Sequence, residues 1–138
     1  MILVDASGLF ALLNDQEPAH DATGRAIERE TGMRILSPFV LAEVDHLLIT
    51  RAGLRVELEF LDDVHKNAYE LARFDEGDVA AAATVIRRYA DLRIGLADAS
   101  IVVLAERYGT NRVLTLDERH FRALRVGRRP FVLLPADA

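Results

Sequence analysis

Short apolar runs alternate with longer amphipathic stretches along this chain. The first run, Ile2 to Val4, ends abruptly at Asp5 and is typical of a strand buried on both faces of a parallel sheet. The last run follows Pro130, which favours a sheet edge because proline cannot donate a hydrogen bond to a neighbouring strand. The pattern predicts strands at residues 2–4, 33–36, 113–116 and 131–134, with a weaker candidate at residues 69–74.

Apolar residues recur at helical spacing between the predicted strands. Ser37 followed by Pro38 favours a helix start. Asp75 with Asp78 resembles a capping box, and Gly109 is typical of a residue that ends a helix. These signals predict helices at about residues 6–13, 18–30, 38–52, 56–64, 76–89 and 97–108.

The alternation of strand and helix defines the expected fold class. It predicts an α/β fold with a mainly parallel central sheet of four to five strands flanked by helices. No internal repeat, low-complexity tract or linker interrupts the pattern. We expect a single domain over residues 1–138, a length that can bury a stable core without disulfides or a structural metal.

Composition excludes several classes of protein. The chain has no cysteine, which rules out a disulfide framework and a cysteine-ligated zinc site. Its start has no basic region followed by a cleavable apolar run, and charges interrupt every apolar segment before it reaches the roughly 18 residues that a membrane span requires. We expect a cytoplasmic protein with no membrane role.

Charge is distributed unevenly along the chain. The formal net charge of −5 and the pI of about 5.3, taken over the whole chain, argue against a nucleic-acid binder. The segment 112–129 is nevertheless basic, and Lys66 is the only lysine, so nearly all cationic groups are guanidinium forks, which suit phosphate. The arginines of this segment are Arg112, Arg119, Arg122, Arg125, Arg128 and Arg129.

Four acids occupy positions where an α/β sheet places its functional crevice, at the carboxyl ends of the strands. Asp5 and Asp117 each follow a predicted strand. Glu43 lies in the early turns of the helix that leaves the second strand, and Asp98 lies in the first turn of a later helix. Crowded carboxylates repel one another unless a cation neutralises them, and an all-oxygen ligand set selects Mg²⁺ or Mn²⁺. Such an ion can activate water and hold a phosphodiester for attack.

Each acid also has a plainer interpretation. Asp5, Asp98 and Asp117 could cap helices, and Glu43 could be a solvent-facing helix residue. Asp5 argues most strongly for a site, because a carboxylate after a buried central strand is costly unless something binds it. Among the histidines, His120 near Asp117 is a possible substrate contact, although a packing or surface role is favoured.

Four segments together resemble the PIN-domain toxins of VapBC toxin-antitoxin modules. They are I-L-V-D-A-S at residues 2–7, S-P-F-V-L-A-E-V-D at 37–45, R-I-G-L-A-D-A-S-I-V-V-L-A at 93–105 and V-L-T-L-D-E-R-H-F at 113–121. The resemblance covers nearly the whole chain, in the order of the family. It implies that Asp5, Glu43, Asp98 and Asp117 form the catalytic metal site, with Ser7 as a polar residue beside it.

The resemblance also implies a biological role. Proteins of this family are endoribonucleases that depend on Mg²⁺ or Mn²⁺ and cut structured RNA such as tRNA or an rRNA loop. A homodimer and a cognate VapB-type antitoxin are implied, with DNA bound only through the antitoxin. We expect at least some of the C-terminal arginines to contact RNA phosphates, with Arg119, Arg122, Arg125 and Arg128 as the substrate-binding candidates, although each could instead belong to a solvated basic surface.

Three alternatives remain open. A phosphoacceptor receiver domain is disfavoured, because Asp5 lacks an acidic neighbour and Lys66 precedes the weak third strand. A catalytically silent PIN-like binding domain would retain the fold without the reaction. A DNA nuclease of similar fold differs from a ribonuclease only through the family resemblance.

Overall fold

The computed structural model describes all 138 residues. The strands are β1 (Ile2–Val4), β2 (Arg34–Leu36), β3 (Glu70–Leu71), β4 (Arg112–Leu114), β5 (Arg125–Val126), β6 (Arg129–Pro130) and β7 (Val132–Leu134). The α-helices are α1 (Ala6–Leu13), α2 (His20–Glu28), α3 (Pro38–Arg51), α4 (Leu54–His65), α5 (Glu76–Arg88), α6 (Leu96–Tyr108) and α7 (Glu118–Phe121). A one-turn 3-10 helix, Ala90–Leu92, joins α5 to α6.

Five strands form one parallel sheet in the order β3, β2, β1, β4, β7. The predicted α/β class and parallel sheet are confirmed, with β1 at the centre and β7 at an edge. The three residues of β1 are each 1% exposed, as their uninterrupted apolar run predicts for a central strand. One contiguous hydrophobic core includes them, so the residue that follows β1 also begins in a buried environment.

The predicted helix signals hold where they depend on local hydrogen bonds. Asp75 and Asp78 form a reciprocal capping box at the start of α5, and Gly109 ends α6 in the left-handed conformation at φ +69°. The hydroxyl of Ser37 accepts a hydrogen bond from the amide of Phe39 at the start of α3. No helix is both long and apolar enough to span a membrane.

Several element boundaries differ from the sequence prediction. The weak strand at residues 69–74 contracts to Glu70–Leu71, and α2 begins at His20, after Pro18. The strand predicted at residues 113–116 begins at Arg112 and ends at Leu114. The hairpin of β5 and β6 was not predicted, because strands of two residues are too short to show an alternation of apolar and polar positions.

Helix α1 packs unusually closely against the end of β4, and Gly8 makes this possible. A methyl group at Gly8 would lie 2.5 Å from the carbonyl oxygen of Leu114, well inside a van der Waals contact. The amide of Asp5 donates to the same carbonyl at 2.9 Å. The start of α1 is therefore fixed against the carboxyl end of β4, where the polar residues of both strands meet.

Candidate metal centre

The parallel pairing of β1 with β4 brings two polar residues together. Val4 is the register partner of Leu114, so the next residues, Asp5 and Thr115, leave the sheet side by side. Thr115 donates a hydrogen bond of 2.7 Å from its hydroxyl to Oδ2 of Asp5, and both residues are buried. The carboxyl ends of neighbouring strands thus create the centre of the site, as expected for this class of sheet.

Hydroxyl groups surround the Asp5 carboxylate. Ser7 donates to the same Oδ2 at 3.0 Å and accepts from the backbone amide of Leu116 at 2.9 Å. The Thr115 oxygen also accepts from the amide of Asp117 at 3.0 Å, which fixes the turn between β4 and α7. Asp5 makes no side-chain cap to α1, so the interpretation of this acid as a simple helix cap is wrong.

Thr115 was not among the predicted site residues. Its position directly after a strand that pairs with β1 would have identified it, but the sequence does not reveal that pairing. Threonine within an apolar run is also typical of an ordinary strand residue.

Glu43 and Asp98 are supplied by two helices whose N-terminal ends are joined. The buried hydroxyls of Ser37 and Ser100 are 2.7 Å apart, and Ser100 also donates to the carbonyl of Ala97 at 2.6 Å. This contact links the start of α3 to the first turns of α6. Glu43 is exposed on α3, whereas Asp98 on α6 is partly buried, with 20% of its side chain accessible.

Asp117 and His120 form a second polar group beside Asp98. Asp117 accepts from the backbone amide of His120 at 3.0 Å, so it does cap α7, as the plainer interpretation of this acid proposed. Its Oδ2 lies 2.7 Å from Nδ1 of His120, and the same Nδ1 lies 3.8 Å from Oδ2 of Asp98. Asp117 therefore caps α7 and also belongs to the site.

All four predicted acids line one open pocket of about 340 Å³. Its complete lining consists of Asp5, Ala6, Ser7, Glu43, Leu47, Asp98, Asp117 and His120. The lining contains no lysine or arginine, so no permanent positive charge in the pocket balances the four carboxyl groups. Ser7, predicted as a polar neighbour, belongs to this lining, and so does His120, for which a surface or packing role was favoured.

The crowding of acids is reflected in their pKa values. Burial is the main cause that raises the pKa of Asp98 to about 6, and the negative charges of Asp5 and Asp117 add to it. Burial also raises the pKa of Asp5, against the opposing hydrogen bonds from Thr115 and Ser7. The pKa of Glu43 is raised by partial desolvation of its carboxyl group against the pocket wall, although the residue is exposed overall, and by the charge of Asp5. Ionising all of these groups together is unfavourable in the absence of a cation.

The residues present fit a divalent cation. Asp5 is a buried carboxylate whose side-chain partners are two neutral hydroxyls, so its charge has no counterion within the chain. The donors that line the pocket are mainly carboxylate oxygens, which hard cations such as Mg²⁺ and Mn²⁺ prefer. Potential ligand atoms of Asp98, Asp117 and His120 lie within 4.8 Å of one another, close enough to share one ion.

The predicted substrate-binding arginines have different surroundings. Arg122 forms a bidentate ion pair with Asp137 at 2.8 and 2.7 Å, and Arg125 donates to the carbonyls of Arg122 and Leu124. Arg119 on α7 and Arg128 in the turn between β5 and β6 are exposed and form no ion pair. Of the four predicted arginines, therefore, only Arg119 and Arg128 have guanidinium groups that form no ion pair or hydrogen bond within the chain.

Comparisons with known proteins agree on the family. The family model described as PIN domain matches residues 2–126. Ribonuclease VapC26 of Mycobacterium tuberculosis is 42% identical over 135 residues, which are 97% of this chain and all of that protein. An identity of 42% over the full length of a relative indicates a shared family and not only a shared fold.

Two crystal structures show the same fold at lower sequence identity. VapC20 of Mycobacterium tuberculosis, described as a Sarcin-Ricin loop cleaving toxin, superposes with a TM-score of 0.79 at 20% identity, covering 85% of this chain and 90% of that one. FitAcB from Neisseria gonorrhoeae gives a TM-score of 0.59 at 22% identity, covering 86% of this chain and 88% of that one. These two structures agree with the parallel sheet described above, while the family-model match and the full-length identity to VapC26 show that the chain belongs to the PIN-domain family, in its branch of VapC ribonuclease toxins.

Proposed function

We propose that this protein is the toxin of a type II toxin-antitoxin module and hydrolyses RNA at the acidic pocket with the help of Mg²⁺ or Mn²⁺. One observation carries the proposal: four carboxyl groups from separate elements converge on one pocket that contains no lysine or arginine. The full-length similarity to a protein named as a ribonuclease supports the choice of RNA as the substrate.

Each acid has a role that follows from its surroundings. Asp98 and Asp117 are accessible enough to contact a cation directly, with side chains 20% and 32% exposed. Asp5 is held rigidly by Thr115 and Ser7 and supplies fixed negative charge at the base of the pocket. Glu43 is exposed on α3 at the pocket wall, where it can complete the ligand set or hold a water molecule.

A bound divalent cation would supply Lewis-acid chemistry, polarising the phosphodiester and lowering the pKa of water. The chain's own part is to bind and orient. Asp98 and Asp117 would hold the ion, and the hydroxyl groups of Ser7 and Thr115 orient the Asp5 carboxylate. Mg²⁺ and Mn²⁺ are the proposed ions because the pocket offers chiefly oxygen donors.

The substrate that we propose is structured RNA, a tRNA or an rRNA loop. Arg119 and Arg128 are the proposed phosphate contacts, because both are exposed and form no ion pair. Arg122 and Arg125 were also candidates, but their hydrogen bonds to Asp137 and to backbone carbonyls favour a role in holding the C-terminal segment.

We further propose the assembly expected of a VapC toxin. The protein would act as a single domain over residues 1–138 in the cytoplasm, form a homodimer, and be inhibited by a cognate VapB-type antitoxin that contacts DNA on behalf of the complex. The similarity to VapC26, a protein named as a VapC ribonuclease, and the fold shared with VapC20, described as a toxin, support this proposal.

Cleavage of RNA by the purified protein tests this function. Labelled total tRNA, rRNA fragments and single-stranded DNA of matched length are incubated with Mg²⁺, with Mn²⁺ and with excess chelator. We expect cleavage of RNA alone, lost in chelator and lost in Asp98→Asn. Equal cleavage of DNA would favour a DNA nuclease, and binding of RNA without cleavage under any metal would favour a silent binding domain.

A further inference from the structure

We propose that His120 supplies a nitrogen ligand to the cation of this site, so that the ligand set is two carboxylates and one imidazole and prefers Mn²⁺ to Mg²⁺. The inference rests on the proposed function of the pocket and adds to it a ligand that the four acids do not include. It follows from the distances between potential ligand atoms, since one such atom from each of Asp98, Asp117 and His120 lies within 4.8 Å of the other two.

The distances around Nδ1 of His120 suit a shared ion. This nitrogen is 2.7 Å from Oδ2 of Asp117 and 3.8 Å from Oδ2 of Asp98. Adjacent ligands of an octahedral ion with bonds of about 2.1 Å lie about 3 Å apart, which falls between these two distances. Nδ1 could bind a cation as the neutral imidazole nitrogen, in the place of its contact with Asp117.

The imidazole is held in place before any ion binds. The backbone amide of His120 donates to Oδ1 of Asp117, and the amide of Asp117 donates to the buried hydroxyl of Thr115. Phe121, the next residue, is fully buried and packs edge-to-face against Phe131 with ring centroids 5.5 Å apart. These contacts fix helix α7 and leave the side chain of His120 only 23% exposed, facing the pocket.

The other two acids are less well placed to form the nearest ligands. Oδ2 of Asp5 already accepts from Ser7 and Thr115, and Asp5 is only 5% exposed. Glu43 is exposed on the wall of the pocket, and neither acid belongs to the close set of ligand atoms. Their negative charge still favours a cation, while the closest donors comprise two oxygens and one nitrogen.

The nature of the third ligand determines which ion is preferred. Mg²⁺ takes oxygen ligands almost exclusively, whereas first-row transition-metal ions also accept imidazole nitrogen. Mn²⁺ has an octahedral preference and a size compatible with the same carboxylates. Removing the imidazole should therefore weaken Mn²⁺ binding more than Mg²⁺ binding.

Pulsed electron paramagnetic resonance of the full-length protein loaded with Mn²⁺ alone tests the inference. A nitrogen directly bound to Mn²⁺ produces a modulation that changes when histidine is labelled with ¹⁵N. The variant is His120→Gln, and the matched control is His46→Gln, an exposed histidine on α3 outside the pocket lining. Calorimetric titration with Mn²⁺ and with Mg²⁺ measures the affinities of the same proteins.

We expect nitrogen modulation in the wild type and in His46→Gln, its loss in His120→Gln, and a fall in Mn²⁺ affinity of about tenfold or more in that variant. A wild-type spectrum with bound Mn²⁺ but no nitrogen modulation would overturn the inference and leave the ribonuclease proposal intact. Persistence of the modulation in His120→Gln would overturn it as well. Failure of the wild type to bind Mn²⁺ or Mg²⁺ would instead contradict the metal site itself. The wild-type spectrum decides the question even if His120→Gln folds poorly.

Discussion

The hydroxyl of Thr115 donates a hydrogen bond of 2.7 Å to the carboxylate of Asp5, a residue 110 positions away in the sequence. The register between β1 and β4 places the two residues side by side, because Val4 and Leu114 are paired partners. Thr115 also accepts the amide proton of Asp117, so a single hydroxyl connects two of the proposed site acids.

Replacement of Thr115 by valine tests the importance of this hydroxyl. Valine retains the shape but leaves the amide of Asp117 without its partner and Asp5 with one donor fewer. We expect the free energy of unfolding to fall by roughly 1–3 kcal/mol and cleavage to fall at least about tenfold. Denaturant titrations and RNA cleavage assays measure both effects.

Thr84→Val is the matched control, because Thr84 is exposed on α5 and bonds only to a carbonyl of its own helix. It should leave cleavage unchanged. Thr115→Ser should restore most of the activity, since it keeps the hydroxyl. Wild-type stability and cleavage in Thr115→Val would show that the hydroxyl does not support the site.

Binding of the cation should stabilise the folded protein through the same acids that cleavage requires. We expect Mn²⁺ or Mg²⁺ to raise the melting temperature of the wild type, because an ion that binds only the folded state shifts the unfolding equilibrium. Asp5→Asn and Asp98→Asn should abolish this rise and lower cleavage by about 100-fold or more.

Asp75→Ala separates stability from activity in that experiment. It removes the side-chain oxygen that caps α5, so stability should fall by about 1 kcal/mol while the metal response and cleavage remain. Full cleavage in Asp98→Asn, or unchanged cleavage in excess chelator, would contradict the assignment of the site.

Stability of the metal-free protein should depend on pH through Asp98. Its pKa rises from 3.8 to about 6 on folding, so the folded state favours the protonated acid. The stabilising contribution is therefore complete below pH 3.8 and is lost as pH rises through about 6. Asp98→Asn, which stays neutral, should gain stability relative to the wild type across this interval, by roughly 2–3 kcal/mol at pH 7.

The measurement is a pair of denaturant titrations in chelator at several pH values between 4 and 7.5. Adding Mn²⁺ at pH 7 should make the wild type the more stable of the two proteins, because only the wild type retains the carboxylate of Asp98 as a ligand. A stability difference between the two proteins that does not change with pH would show that Asp98 does not carry the raised pKa.

The C-terminal arginines should divide into two groups. Arg119→Ala and Arg128→Ala should weaken RNA binding and reduce the salt slope by about one unit or less each, because each lost phosphate contact releases fewer counterions. Arg122→Ala should instead lower the melting temperature, because it breaks the bidentate pair with Asp137.

Binding isotherms at several salt concentrations, paired with thermal melts, distinguish the groups. A change of salt slope in Arg122→Ala at constant melting temperature would reverse the assignment. Unchanged slopes in Arg119→Ala, Arg128→Ala and the double variant would remove these two residues from the RNA path.

Replacement by alanine should change the stability in opposite directions at two glycines. A methyl group at Gly8 would meet the carbonyl of Leu114 at 2.5 Å, so Gly8→Ala must displace α1 from β4 and should cost about 1–3 kcal/mol. Gly24 lies within α2 with no atom within 4 Å of an added methyl group, so Gly24→Ala should stabilise by about 0.5–1 kcal/mol. Thermal melts that show no difference between these variants would contradict the close packing of α1 on β4.

Much of the fold could be predicted from local sequence. The apolar run of β1 predicted a buried central strand, and the capping residues of α3, α5 and α6 placed those helix ends, because caps depend on hydrogen bonds between near neighbours. The short elements were harder to predict. Strand β3 and the hairpin of β5 and β6 have two-residue strands, in which no periodicity can appear.

The four acids could be named from their positions after strands and in the first turns of helices, and they do line one pocket. Their roles in binding metal remain predictions. The sequence also led to the expectation that at least some of the C-terminal arginines contact RNA, without indicating which. The structure pairs Arg122 with Asp137 and leaves Arg119 and Arg128 exposed, a division that depends on where the chain folds back after β7.

By itself, the sequence determined the longer strands and helices and the acids at their ends, because these properties follow from the order of neighbouring residues. Only the tertiary structure decided that Thr115 donates to Asp5 and that His120 lies 3.8 Å from Asp98. Strand order and register set those contacts, and both arise from the packing of the whole core. The residues that neighbour a threonine or a histidine in the sequence do not indicate which distant residue its side chain will contact.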